Sequence, residues 1–284
     1  MKDGKRAVDL IVISDVHLGT RGSHAKELLA YLKTVQPKIL ILNGDIIDVW
    51  QFSKRYWPQS HMKVIKYILG LTDKKTKVYY ITGNHDEIFR KFANTRLGHL
   101  RIVNQLILKL EGEKTWFFHG DVFDVIMQHS KWLAKAGAIG YDSLIILNNT
   151  VNWVSRMLGR GKVSLSKRIK ENVKTAIKYI HNFEDTAATL SVKKGYSTIV
   201  CGHIHHPDKR EIIINKKSVL YLNSGDWIEN LSALEYHEGD WKVVYYRDLF
   251  TERGNDAIAS EEEQTLGDMK NKQLFNLMLK EFQS

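Results

Sequence analysis

The sequence carries a single cysteine, Cys201, among 284 residues. That excludes an intrachain disulfide and fits a reducing compartment. Long apolar runs are also missing: stretches such as Ile39 to Leu42 are strand-sized and far short of a membrane span. Basic residues at the N-terminus (Lys2, Lys5, Arg6) lead into a short apolar run that Asp9 interrupts, so no secretory signal is expected. Cytoplasm is the expected location. Internal repeats are absent as well.

What the chain has is positive charge. Its 42 lysines and arginines against 32 carboxylates give a formal net charge of +10, which asks for an anionic partner: nucleic acid, phospholipid headgroups or a phosphorylated substrate. The excess is uneven. Residues 122–195 hold 12 basic residues against 5 acidic ones, whereas residues 251–284 hold 4 against 7.

Six short stretches rich in β-branched or aromatic residues read as buried strands: Ala7–Ser14, Lys38–Leu42, Val78–Thr82, Thr115–Phe118, Ser197–Cys201 and Val219–Leu222. Each runs into a polar cluster, and helical patterns at Ala25–Val35 and His61–Leu71 separate the early ones. Alternation of this kind predicts a layered α/β fold, in which sites collect at the C-terminal ends of strands. Residues 122–195 lack a strand signal but show helical spacing (Trp132, Leu133, Ala136; then Ile169, Val173, Ile177, Ile180), which predicts a helical insertion beside the site. Glu211–Asp248 reads as two hairpins turning at Asn215-Lys216-Lys217 and Glu238-Gly239-Asp240. The predicted domain spans residues 1–250 including the insertion, followed by an acidic tail, 251–284, with an amphipathic helical pattern.

The polar clusters carry the chemistry. Two divalent ions held close together need a bridging carboxylate and several terminal oxygen or imidazole ligands. Asp15 and His17 are two apart, so on a continuing strand they would face the same way and share an ion. Asp45, after Gly44, suits the bridge, Asn84 offers a neutral oxygen, and His119, His203 and His205 offer imidazoles. Oxygen and nitrogen ligands without thiolate suit Mn, Fe, Co, Ni or Zn. Taken singly, Asp-x-His is a common surface pair and Asn43-Gly44-Asp45 a common turn. Their joint occurrence after successive strands points to an assembled site.

With Asp15-Val16-His17, Gly44-Asp45-Ile46-Ile47-Asp48, Gly83-Asn84-His85-Asp86, His119-Gly120 and Gly202-His203-Ile204-His205 in hand, the chain resembles the calcineurin-like metallophosphoesterase superfamily over about residues 7 to 230. The resemblance implies an α/β, four-layer αββα sandwich with two central sheets. It implies one ion on Asp15, His17, Asp45 and His205, and a second on Asp45, Asn84, His119 and His203, with Mn as the expected metal. Two cations would acidify a water between them, so that a hydroxide bridging the ions attacks phosphorus. His85 is then the candidate acid for the leaving oxygen, with Asp48 or Asp86 as the carboxylate that orients it.

Within the superfamily the chain looks most like the UDP-2,3-diacylglucosamine pyrophosphatases of lipid A synthesis. Shared features are the N-terminus opening on the first metal motif, Trp50 soon after Gly44-Asp45, the His119-Gly120-Asp121 triplet and the insertion. Such enzymes release UMP and a lipid sugar 1-phosphate. For that substrate Arg156, Arg160, Lys162, Lys167 and Arg168 would meet phosphates and anionic headgroups, while Trp132, Trp153, Met157 and Leu158 would line an acyl channel or touch the bilayer. A solvated amphipathic helix pair explains the insertion equally well. The resemblance also implies peripheral contact with the anionic inner face of the cytoplasmic membrane. One position departs: the best-known members of that group have arginine where this chain has His85. A nuclease, a cyclic-nucleotide phosphodiesterase or another phosphatase with the same metals, acting on nucleic acid or a soluble substrate, is the rival reading, although no aromatic and basic stacking motif is visible for nucleic acid. A scaffold that has lost catalysis would be expected to lack ligands or His85, and here all are present.

Overall fold

The computed structural model describes residues 5–51, 56–123 and 166–250, and of residues 166–179 it describes the backbone alone. The chain divides into two compact units, Met1–Tyr246 and Arg247–Ser284. Of the second, only the end of a short helix, α4 (Tyr246–Phe250), is described. The acidic tail lies outside the described residues, as do the insertion positions Trp132, Leu133, Ala136, Trp153, Arg156, Met157, Leu158, Arg160 and Lys162.

Two sheets form the first unit. The larger has seven strands in the order β12-β11-β1-β2-β3-β5-β4: β1 is Arg6–Ile13, β2 Val35–Asn43, β3 Lys77–Ile81, β4 Arg96–Leu97, β5 Leu100–Val103, β11 Ser232–His237 and β12 Asp240–Tyr245. The smaller has the order β6-β7-β8-β10-β9, from β6 (Gln105–Leu110), β7 (Glu113–Phe118), β8 (Thr198–Cys201), β9 (Asp208–Ile214) and β10 (Lys217–Asn223). All six expected strands are present. Strands β1, β2, β3 and β5 run parallel in one sheet, as do β7, β8 and β10 in the other.

Successive side chains on a strand face opposite ways, so a strand covered on both faces must be apolar throughout. Strand β1 shows this. Leu10 and Val12 join Ile41, Phe117, Val200, Leu222 and Leu234 in a core shared by the two sheets, while Ile11 and Ile13, on the other face, are equally buried. Helix α1 (Ala25–Thr34) buries Ala25, Leu28, Tyr31 and Leu32, and α2 (Gln59–Asp73) buries His61, Val64, Ile68 and Leu71, each a stripe at helical spacing. They contact each other and β2 and β3. Helix α3 (Ser166–Lys194) packs Phe183, Ala187 and Ala188 on the outer face of the smaller sheet, against Trp116, Phe118, Ile199 and Tyr221. The result is a four-layer αββα sandwich. No helix among the described residues is long and apolar enough to cross a membrane.

The two expected hairpins form, but in different sheets. Asn215 and Lys216 both have positive φ between β9 and β10, as do Glu238 and Gly239 between β11 and β12, the geometry of a tight turn that follows the twist of the strands.

Candidate metal centre

Every polar cluster expected to carry chemistry lies just beyond the end of a strand. Asp15 and His17 follow β1, Asp45 follows β2, Asn84 follows β3, His119 follows β7, and His203 and His205 follow β8. Main-chain hydrogen bonds lock these ends together: Asp15 N–H donates to Gly44 O at 3.1 Å, His17 N–H to Asp45 O at 2.9 Å, and Gly202 N–H to His119 O at 2.9 Å.

The strand geometry expected for the two alternate-residue pairs does not occur. Asp15, His17, Asp45, His203 and His205 all have positive φ, between 50° and 68°, so the chain has left the extended conformation before each pair. Left-handed backbone is disfavoured for residues with a side chain, and five such residues in one cluster are strain held in place by the surrounding fold. The pairs still converge, through loop curvature instead of strand pleat.

Two groups result. Ligand atoms of Asp15, His17 and His205 lie within 4.8 Å of one another, and so do those of Asp45, His119 and His203. His205 Nε2 is 3.2 Å from Asp15 Oδ1, and His119 Nε2 is 3.2 Å from Asp45 Oδ2. Asp15 Oδ1, His17 Nε2, Asn84 Oδ1 and His119 Nε2 are buried without a hydrogen-bond partner. A buried polar atom left without a hydrogen bond costs about 1–3 kcal/mol, and a cation held by these ligands would satisfy them where the two ion pairs alone do not. The tautomers agree. His119 Nδ1 lies 2.9 Å from Asn43 O, and a carbonyl can only accept, so Nδ1 carries the proton. Nε2 is left as the ligating lone pair.

The charges answer one another. Burial alone would raise the Asp15 carboxyl, yet the His205 charge, followed by that of His119, holds it at about 2. Burial would lower His205, but Asp15 brings it up to about 9. Asp45 is held well below the usual carboxylate range by His119 against the effect of burial, and His119 is raised well above the usual imidazole value by Asp45. Protons on these imidazoles thus stand where cations would stand, and metal binding must displace them.

Glycines make room. At Gly44, with φ of +84°, a Cβ would fall 2.3 Å from His119 Nδ1. At Gly83 it would fall 2.2 Å from Asp45 Oδ1.

His85 stands beside these groups. Its N–H donates to Asp45 Oδ1 at 2.8 Å, and its ring donates through Nδ1 to Asp48 Oδ2 at 2.8 Å. Asp48 therefore orients it. Both oxygens of Asp86 are engaged elsewhere: Oδ1 accepts from Gly83 N–H, and Oδ2 from Ile46 N–H and the Tyr80 hydroxyl. Burial pulls the His85 ring down, but Asp48 and Asp45 leave it raised above its ordinary value. Trp50 lies against the ring, with centroids 4.4 Å apart.

Several supports gave no signal in the sequence. Asn43 supplies the carbonyl that sets His119, and its Nδ2 donates to Phe118 O. Arg90 pairs with Asp121 and also donates to Gly83 O, tying the Asn84 loop to the His119 loop. His61 is buried and accepts from Gly19 N–H at 2.9 Å. Of the expected substrate contacts, Arg156 and Arg160 lie outside the described residues. Lys167 and Arg168 lie on α3, but their side chains are likewise outside them.

Comparison with known proteins bears on this geometry. The family model of the calcineurin-like phosphoesterases matches residues 9–207. The chain is similar to the UDP-2,3-diacylglucosamine hydrolase of Aliivibrio fischeri, 23% identical over 81% of this chain and 95% of that protein. It is similar also to the hydrolase of that name from Histophilus somni, 26% identical over 82% and 97%. Among solved structures, the phosphoesterase Yfce from E. coli matches over 84% of this chain and 93% of its own, at 14% identity and a TM-score of 0.43.

Proposed function

The chain belongs to the calcineurin-like phosphoesterase family, and from that premise we propose that it cleaves the pyrophosphate of UDP-2,3-diacylglucosamine or a similar lipid-linked nucleotide, giving UMP and a lipid sugar 1-phosphate. The hydrolase activity is metal-dependent, as the family's is. The observation that carries the reading is the pair of ligand groups around Asp15 and Asp45, with four buried ligand atoms of the expected set that make no hydrogen bond. Similarity to UDP-2,3-diacylglucosamine hydrolases over nearly their full length supports the substrate.

Asp15, His17, Asp45 and His205 would hold one ion, and Asp45, Asn84, His119 and His203 the other, with Asp45 between them. Manganese suits this donor set, as do Fe, Co, Ni and Zn. When bound, the ions supply Lewis acidity, which stabilises phosphoryl charge and acidifies water. The chain's own residues do the rest. His85, whose hold on a proton Asp48 and Asp45 strengthen, gives its proton to the leaving oxygen as the P–O bond breaks. Asp48 fixes the ring so that Nε2 is the donating atom. Buried main-chain bonds around Gly44 and Gly202 keep the ligands from relaxing when metal leaves.

Basic side chains of the insertion, Arg156, Arg160, Lys167 and Arg168, would meet the substrate phosphates. A substrate with two acyl chains resides in a bilayer, so the enzyme would work at the anionic inner face of the cytoplasmic membrane.

The test is a side-by-side assay of Mn-loaded protein on UDP-2,3-diacylglucosamine, bis-p-nitrophenyl phosphate and single-stranded DNA. Turnover of the first, lost in Asp45→Ala, is the expected result. Turnover of either of the others with none of the lipid nucleotide would overturn the substrate, and inertness on all three with both ions bound would overturn catalysis.

A further inference from the structure

A surface beside the site has an unusual composition. From Ile88 to Leu110 the sequence holds five lysines and arginines and no carboxylate. The first part of this stretch is a 3-10 helix, Glu87–Phe92, that begins directly after the Asn84-His85-Asp86 loop, and it is followed by the β4–β5 hairpin at the outer edge of the larger sheet. Large apolar side chains are exposed here: Ile88 at 47%, Phe92 at 53% and Leu97, at the hairpin turn, at 61%. Scattered exposed apolar residues need no explanation, but three on adjoining elements next to a site do.

The hairpin register adds a second observation. Arg96 and Arg101 are directly opposite one another across the antiparallel pair, so both side chains leave the same face. Like charges opposite each other destabilise a strand pair. Among the described residues neither is within 4.0 Å of a carboxylate, and the one hydrogen bond of Arg96 is from Nε to Gly98 O. A charge on an edge strand does guard against pairing with another chain. That purpose needs one charge and leaves Ile88, Phe92 and Leu97 unexplained. Exposed apolar side chains interleaved with Lys91, Arg96 and Arg101 are what an anionic bilayer surface takes up: the apolar groups enter the headgroup boundary while the cations meet phosphates.

We infer that residues 88–101 form the surface by which this protein docks on an anionic membrane, meeting it edge-on at the outer strand β4, with the Arg96–Arg101 pair on one face of the hairpin holding lipid phosphate and Leu97, which leaves the opposite face, entering the interface together with Phe92. The choice of a bilayer as the partner rests on the lipid-substrate reading above. The location is new to it, since that reading places headgroup contact on the insertion.

The test is co-sedimentation of the full chain with vesicles of equimolar phosphatidylcholine and phosphatidylglycerol, and with vesicles of phosphatidylcholine alone. Wild type should pellet with the anionic vesicles only. Replacing both arginines (Arg96→Ser with Arg101→Ser) should lower the partition coefficient about 25-fold, at roughly fivefold per cation near the surface. Phe92→Ser with Leu97→Ser should lower it as well, and both pairs should hydrolyse bis-p-nitrophenyl phosphate as wild type does, which shows that they fold. Wild type that stays in the supernatant, or the arginine pair pelleting as wild type does, overturns the inference. So does equal pelleting with phosphatidylcholine alone, or self-association that the same substitutions abolish, which would make the face an interface between copies. Hydrolysis of the lipid nucleotide in detergent, where no bilayer is needed, reports on the substrate alone and keeps the two failures apart.

Discussion

The His85 ring and the His17 ring donate to the same oxygen, Asp48 Oδ2, at 2.8 and 3.1 Å. One of these histidines belongs to a ligand group and the other is the proposed proton donor, so a single carboxylate holds an expected metal ligand and the proposed acid together. Burial would raise the Asp48 carboxyl, but His17 and then His85 hold it below the usual range. Asp48→Asn should therefore damage both functions. Affinity for the ion at Asp15 should fall about 10–100-fold, as when a partner behind a ligand is lost, and turnover should fall further than the lost metal explains. Metal titration followed by an assay at saturating metal separates the two effects.

His85→Gln tests the second function alone. Metal content should stay at the wild-type level, while turnover of a substrate with a poor leaving group drops about 10²–10⁴-fold. A p-nitrophenyl ester, whose leaving oxygen needs no proton, should lose much less. Equal losses on both substrates would remove His85 from proton transfer.

Gly83→Ala should behave as a metal-site mutation although Gly83 is no ligand. The added Cβ would sit 2.2 Å from Asp45 Oδ1 and 2.7 Å from the Asp45 main-chain nitrogen, so Asp45 must shift. Bound metal measured after dialysis should fall on both sides of Asp45, and the far-ultraviolet circular dichroism should remain.

Cys201 is fully buried, and burial pushes its thiol up to about 12. Since the thiolate is the reactive form, the native protein should not react with a disulfide reagent at neutral pH. One thiol should appear on denaturation. Fast reaction of the folded protein would show that β8 opens locally.

Asp9 offers a pH test away from the metals. The Lys38 ammonium, then the Glu238 N–H and the His237 ring, hold its carboxyl at about 2, against an ordinary value of 3.8. A depressed carboxyl stabilises the fold above its unfolded pKa and loses that contribution as pH falls through the folded one. Asp9→Asn should thus cost a few tenths to about 1 kcal/mol above pH 4, the range for a largely exposed pair, with the difference from wild type closing between about 4 and 2. Urea midpoints of the two proteins at pH 6 and pH 3 would measure it.

Much of the site was legible in the sequence because its chemistry is written in residue types that repeat after each apolar run. Asp15, His17, Asp45, Asn84, His119, His203 and His205 each follow a strand that a short apolar run with β-branched or aromatic content predicts. The strands between β3 and β7 were harder. Strands β4, β5 and β6 span residues 96–110, where arginines and exposed positions interrupt the apolar pattern, and strands of this kind are stabilised by neighbours more than by their own residues. In the sequence His61 is only the first residue of a helical pattern, and only the fold shows it pinning the loop at Gly19.

The sequence by itself determined the ligand inventory and the order of strands that carry it, since both depend on local composition and period. Only the tertiary structure decided how the ligands meet. The left-handed turns at Asp15, His17, Asp45, His203 and His205, the choice of Asp48 over Asp86 as the partner of His85, and the opposition of Arg96 and Arg101 all arise from contacts between segments distant in the chain. Such contacts leave no local period to read, because packing and hydrogen bonding across the sheets impose them against the backbone's own preference.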